Sequence, residues 1–524
     1  MLFTSYRFAL FLAVLLPLYY LIPRRFQWWL LLAADALFYA CAGWQGLCFM
    51  AATVIVSWAA GRAMKRSFAA QRAYLKSPEG KALDRDKRKA WKKAREKLRR
   101  AVFVLALVAD LGILAALKYT NFLISNVNGI FSASLARVDW VLPMGISFYT
   151  FQTVGYLIDV YWEKIEAEDS LPRVALFTSF FPLLVQGPIC RFGELKETLF
   201  ADHAPDGRQI GFGVQRMLWG YFKKLVVADR LLPAVTGLCA DLETYNGAYA
   251  FLAALLYAAQ LYSDFTGGID ITIGIAQTMG IEVMENFRRP FFSRNIAQYW
   301  RRWHISMGTW FKDYIFYPLS ISPRLLKLSK KVKGRFPGLG RKLPLYWSTI
   351  VTWFLTGLWH GAAWSFVVWG LLNAVLILAA EEFKPVSQRF RARFPALVAS
   401  FGYRVFETLR TFLMMCSLRM LDTYRNVGMS FRAFGSVFTG GKWVEAFSAP
   451  PPGMSEGDCV IALLGVALMF CVSAWQARRG SVRESLAKHA ALPWAVSAAL
   501  LLAVLTFGAY GVGYDSAQFI YNQF

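Results

Sequence analysis

Four histidines occur in the chain, and two of them stand where an imidazole could do acid–base work. His360 falls in TGLWHGAAW (356–364), inside a run of 36 residues, 345–380, that holds no Asp, Glu, Lys or Arg. An ionisable side chain at membrane depth costs about 2.5 kcal/mol or more when charged, which makes it a functional candidate by default. Burial disfavours the imidazolium, so this ring is expected to stay an uncharged base. Gly361, Ala362 and Ala363 leave space beside it for a substrate; the plainer reading is a hydrogen bond between helices. His304 falls in WRRWHISMGTWFKDYIFYPL (300–319), where Trp300, Trp303, Met307, Trp310, Tyr314 and Tyr317 recur at helical spacing as one aromatic stripe. Gly308, one turn on, leaves room over the imidazole, and Arg301, Arg302 and Lys312 could hold a phosphate or pyrophosphate. Such a stripe also suits simple packing or an interfacial belt. His203, in DHAPDGR, and His489, in a basic stretch, read as solvated surface.

Upstream, YSDFTGGIDITIGIAQTMGIEVMENFRRPFF (262–292) puts Asp264 and Asp270 at the edge of an apolar region. Buried carboxylates need partners, and Arg288, Arg289, Arg301 and Arg302 are the obvious supply, so architecture comes before catalysis here. Ser263 lacks a G-x-S-x-G context, which argues against a serine hydrolase. No P-loop, dinucleotide fingerprint or H-E-x-x-H is present. The seven cysteines are scattered without metal spacing, so neither a disulfide framework nor a metal is expected.

The elements that must carry these residues are membrane helices. Of 524 residues 56% are hydrophobic and 17% charged, against about a quarter charged in a soluble domain. Apolar segments at 6–22, 26–41 and 44–61 open the chain, each near the roughly 17–25 residues that cross about 30 Å of hydrocarbon. The first does not read as a signal peptide, because no small-residue cleavage site follows it and further spans do. About eleven spans are expected, with re-entrant or interfacial helices besides. The 345–380 run is too long for one span, and Gly357 and Gly361 would let a second helix approach or break the run in two. Gly-Gly at 267–268 and at 440–441 reads as a break or loop.

The net charge of +25 is concentrated: residues 62–100 hold sixteen basic residues against four acids, and 324–342 hold eight against none. Both read as cytoplasmic loops under the positive-inside rule, with anionic headgroups rather than nucleic acid as their partner. Walking back across two spans from 62–100 puts Arg24 and Arg25 inside and the N-terminus outside. The organisation reads as one membrane domain over 1–524, with a basic loop at 62–100, a catalytic core at 262–380 and C-terminal helices at 401–524.

These stretches resemble the membrane-bound O-acyltransferase family, in its bacterial branch of alginate O-acetylation and teichoic acid D-alanyl transfer proteins. The matching motifs are LPMGISFYTFQTVGYLIDVY (142–161), FPLLVQGPICRF (181–192), YSDFTGGID and ENFRRPF (262–291), WRRWHISMGTWFKDYIFYPL, GLWHGAAW and FIYNQF (519–524). The resemblance implies an all-α polytopic fold around a central funnel or tunnel, with His360 as the family's hallmark histidine and His304 as the second. It implies a cytoplasmic acyl thioester donor, acetyl-CoA or a loaded carrier, with no permanently bound cofactor, and an acceptor on the outer side. Trp303, Arg301, Arg302, Asp264, Asn286, Trp359 and Asp313 are assigned to substrate binding. Alginate-type proteins follow the YxPL element with Gly-Gly-Asn-Arg, whereas Ser320-Ile321-Ser322-Pro323 stands here, which leaves the polysaccharide open. An extracytoplasmic SGNH-type acetyltransferase is the expected partner, and the bacterial cytoplasmic membrane the expected location. The competing classes are D-alanyl transfer from a carrier protein, a proton-coupled transporter or flippase, for which an internal repeat is missing, and a non-catalytic scaffold.

Overall fold

The basic stretch at 62–100 is helical rather than a loop. In a computed structural model that describes residues 3–510, helix Trp44–Lys76 runs far past its apolar half, and Arg85–Phe131 follows after a short turn. Ser77 accepts a hydrogen bond from the Gly80 N–H and Asp84 one from the Lys87 N–H, so each end of the turn is capped. The two basic arms pack on each other: Tyr74 and Trp91 stack at 4.4 Å, and Arg99 lies 4.2 Å over Phe68 while donating to Gln71 at 2.7 Å. At 1.5 Å per residue, the 47 residues of Arg85–Phe131 extend about 70 Å, more than twice the hydrocarbon thickness. The apolar remainder is long enough to cross without its charged first third.

Helices make up the ordered secondary structure, and no strand occurs among the described residues. The chain divides into two compact units. One comprises residues up to Ile210 together with Ile275–Val283; the other comprises Gly211–Gly274 and the chain from Met284 onward.

In the first unit, Ser57 donates to the buried Asp110 at 2.8 Å, tying Trp44–Lys76 to Arg85–Phe131. Asp35, also buried, accepts from Ser179 and from the Phe181 N–H at 2.9 Å each, and so caps helix Phe181–Gln186. His203 is not simply solvated. Its ring nitrogen meets the Thr198 carbonyl at 2.7 Å, and Gln27 brackets its backbone from both sides.

Four helices among the described residues are long and apolar enough to cross a membrane: Trp44–Lys76, Arg85–Phe131, Trp364–Glu382 and Glu456–Arg479. Two shorter apolar helices, Tyr6–Leu21 and Leu492–Phe507, accompany them. The expected eleven spans are not matched one for one, because several apolar runs fold as short or broken helices. Ile146–Tyr161 and Phe181–Gln186 are buried almost throughout by protein.

In the second unit, Gly267 and Gly268 lie in the middle of helix Ala248–Thr278, not at a break. A Cβ on Gly274 would stand 2.7 Å from the Gly213 carbonyl, and one on Gly220 would stand 2.6 Å from that of Gly267. Glycines seven apart on antiparallel helices thus let two backbones touch. Gly440–Gly441 is a loop, as read from sequence. The FIYNQF motif lies outside the described residues.

Candidate active site

His304 is held by a clip of backbone bonds. The Arg288 N–H donates to Arg302 O and the Ile305 N–H to Asn286 O, both at 2.9 Å. Asn286 Oδ1 accepts from the Ser306 N–H and from the Ser306 hydroxyl, each at 3.0 Å. Anchored on both sides, His304 takes a left-handed backbone conformation, φ 47°, and caps the short helix Ile305–Phe311. The aromatic stripe therefore does not ride one helix. It is divided among Ile296–Trp300, the His304 turn, Ile305–Phe311 and a widened π turn at Lys312–Phe316, which carries Asp313. Trp303, Met307, Trp310 and Tyr314 are buried, whereas Tyr317 is exposed.

The imidazole of His304 is 0% exposed. Phe265 meets it edge-on at 4.9 Å and Trp359 at 5.8 Å, with Phe287 at 6.4 Å. Gly308 does not form this cage. It is exposed, and a Cβ there would meet only the Trp300 carbonyl, at 3.8 Å.

His360 ends helix Pro337–His360, and Trp364–Glu382 begins four residues later, so the uncharged run does break in two. The two helices then pack closely, since a Cβ on Gly357 would lie 2.4 Å from the Phe366 carbonyl. The space beside Gly361 is already filled by the Phe366 ring, 2.4 Å from its would-be Cβ, and is not left for a substrate. His360 is only partly buried. Trp369 meets its ring edge-on at 4.8 Å and Trp359 at 5.1 Å. Trp359, 4% exposed, thus contacts both imidazoles, and histidines 56 positions apart in sequence share one aromatic wall.

Of the other assigned residues, Trp303 is core. Tyr299 stacks on it at 5.6 Å, and the Arg419 guanidinium lies 4.2 Å over its ring. Asp264 is fully buried and meets Lys224 at 2.5 Å; Lys224 also reaches Asp229 at 2.7 Å. Asp270 takes Lys223 at 2.6 Å and Arg216 at 2.9 Å, and Arg216 forks onto Glu285. The partners of these aspartates are thus Lys224, Lys223 and Arg216, not the expected arginines. The reason is the glycine contact, which brings the π turn Phe222–Ala228 and its two adjacent lysines against helix Ala248–Thr278. Two lysines inside an apolar stretch were the sequence signal for this network.

The arginines instead gather by themselves. Among the described residues no Asp or Glu pairs with Arg288, Arg289, Arg294, Arg301 or Arg302. Partial burial first, and then the charges of Arg289, Arg301 and Arg294, hold the Arg302 guanidinium below its usual value. An uncompensated arginine cluster of this kind suits a phosphorylated ligand. None of the seven cysteines forms a disulfide, and no cluster of metal-ligating side chains occurs among the described residues.

The model of MBOAT, the membrane-bound O-acyltransferase family, matches residues 166–421, a span that includes both histidines. The "probable alginate O-acetylase AlgI" of Pseudomonas aeruginosa is 32% identical over 484 residues, covering 89% of this chain and 81% of the relative. The chain belongs to the membrane-bound O-acyltransferase family. It is therefore a multi-pass membrane protein and an O-acyltransferase. Two further relatives match less of it. The peptidoglycan O-acetyltransferase of Helicobacter pylori is 29% identical over 57% of this chain and 59% of its own length. The teichoic acid D-alanyltransferase of Bacillus subtilis is 27% identical over 47% of this chain and 61% of its own.

Proposed function

We propose that this MBOAT protein moves an acetyl group from a cytoplasmic thioester, acetyl-CoA by preference, for O-acetylation of an extracytoplasmic polysaccharide. The observation that carries the reading is the convergence of His304 and His360 on the ring of Trp359. The greater reach of the match to the alginate O-acetylase, set against that to the D-alanyltransferase, favours acetyl over D-alanyl transfer.

In the chemistry we assign, His360 is the base, being the more accessible of the pair. It takes the acceptor's hydroxyl proton as that oxygen attacks the thioester carbonyl carbon. The tetrahedral intermediate collapses with cleavage of the C–S bond, and the proton returns from the imidazolium to the departing thiolate. A thiol, with pKa about 8.5, leaves readily, so activation of the acceptor is the harder part. His304 positions the donor from within its cage, and Arg301 and Arg302 engage the donor's phosphates. A hydrophilic polymer fits poorly in an apolar passage, so the hydroxyl activated by His360 belongs to an intermediate acceptor, and an SGNH-type acetyltransferase on the outer side would carry the acetyl group from it to the polymer. The protein then sits in the bacterial cytoplasmic membrane with its N-terminus outside.

The test is the acetyl-ester content of surface polysaccharide in a deletion strain complemented at matched expression. Wild type should restore the esters and His360→Ala should leave them at the deletion level. A folded His360→Ala protein that restores them removes His360 from the chemistry, and esters that never depend on the chain overturn acetyl transfer in favour of D-alanyl esters.

A further inference from the structure

Within the second unit a cavity of about 520 Å³ lies beside the histidine cage, in the size range of small-molecule sites. One end is apolar: Leu468 and Val472 of helix Glu456–Arg479 face it, as do Val496 and Leu500 of Leu492–Phe507. The other end is charged. There Arg216, Lys223, Asp270 and Glu285 close on one another, two cations against two carboxylates. Arg288, Arg289 and Arg483 also line it, so basic side chains outnumber carboxylates in the lining. Arg483 donates to the Phe212 carbonyl at 3.0 Å. Burial, followed by the repulsion of Arg216, holds its guanidinium below the usual value.

The two ends differ in depth. Helix Glu456–Arg479 is apolar and long enough to cross the membrane, and it finishes on Arg478 and Arg479, a pair that marks headgroup level. Arg483 lines the cavity four residues beyond that end, whereas Leu468 and Val472 lie inside the span. The cavity therefore runs from headgroup level into hydrocarbon depth, with positive charge at the first and apolar side chains at the second. We propose that it holds one anionic phospholipid, its phosphate against Arg289 and Arg483 and an acyl chain between Leu468, Val472, Val496 and Leu500. Phe287, one of the rings around His304, lines the cavity, so the bound lipid stands against the histidine cage.

The full-length protein, purified and stripped of lipid in mild detergent, tests this by native mass spectrometry and thermal unfolding. Phosphatidylglycerol, phosphatidylcholine with the same chains, and coenzyme A are titrated separately. Wild type should take up one phosphatidylglycerol tightly and gain thermal stability from it, with at least tenfold weaker binding of phosphatidylcholine. Arg483→Gln should weaken phosphatidylglycerol at least tenfold. Leu500→Trp, which fills the apolar end and leaves the charges alone, should abolish uptake. Arg432→Gln, which removes an exposed arginine outside the cavity, should change neither. Equal binding of the two lipids, loss of affinity in Arg432→Gln to the same degree, or no tight lipid in wild type overturns the proposal. Displacement of phosphatidylglycerol by coenzyme A in an Arg483-dependent manner also overturns it and makes the cavity part of the donor site.

Discussion

The two histidines differ in what surrounds them more than in kind. His304 occupies a left-handed conformation that costs a non-glycine residue roughly 1–2 kcal/mol, so something must hold it there. Asn286 does, through both groups of Ser306. Asn286→Ala should therefore remove both bonds accepted from the Ser306 N–H and hydroxyl and cost about 1–3 kcal/mol in thermal unfolding. Ester content should fall further than that stability loss would explain, because His304 loses its anchor. Ser306→Ala removes only the hydroxyl bond and should be milder on both counts. Wild-type ester content in a folded Asn286→Ala protein would show that the His304 geometry is dispensable. Each histidine was visible in sequence as an ionisable residue among aromatic and small ones. The clip was not, since nothing local links Asn286 to a serine twenty positions on.

At the scale of elements, glycine decides which helices touch. TGGID looks like a helix break when glycine is weighed by local propensity alone. In the folded protein Gly267 and Gly274 face Gly220 and Gly213, and that contact delivers Lys223 and Lys224 to Asp270 and Asp264. Gly274→Ala should therefore lower stability by about 1–3 kcal/mol through overpacking, read as a drop in unfolding temperature in detergent. Gly112→Ala, on helix Arg85–Phe131 with nothing near its would-be Cβ, should be neutral or stabilising by about 0.5–1 kcal/mol. Equal losses at the two sites would mean that helix contact is not what Gly274 serves. The same logic operates at Gly357, where the sequence already suggested either a close approach or a break. Both occur, and His360 is left at the end of a helix.

For the whole molecule, the distribution of charge predicts the orientation. The basic arms of Trp44–Lys76 and Arg85–Phe131 lie on one side, and a helix of 47 residues carries the chain to the other by Phe131. In a background with all seven cysteines replaced, Lys89→Cys should react with a membrane-impermeant maleimide only after permeabilisation. Ser134→Cys should react in intact spheroplasts. The reverse pattern would invert the orientation, and with it the side from which a thioester donor is taken.

Sequence alone determined the class of the molecule, because hydropathy, charge asymmetry and intramembrane histidines are local and additive properties that need no partner to be read. It also singled out the two histidines as candidates, since an ionisable ring among apolar and aromatic residues stands out locally. Only tertiary structure decided which carboxylate meets which cation, that residues 62–100 form helical arms, and that Trp359 joins His304 to His360. Those outcomes depend on backbone approach and on cooperative packing between segments far apart in the chain. A glycine, a lysine or a tryptophan announces its chemistry in sequence, and only the fold supplies its neighbour.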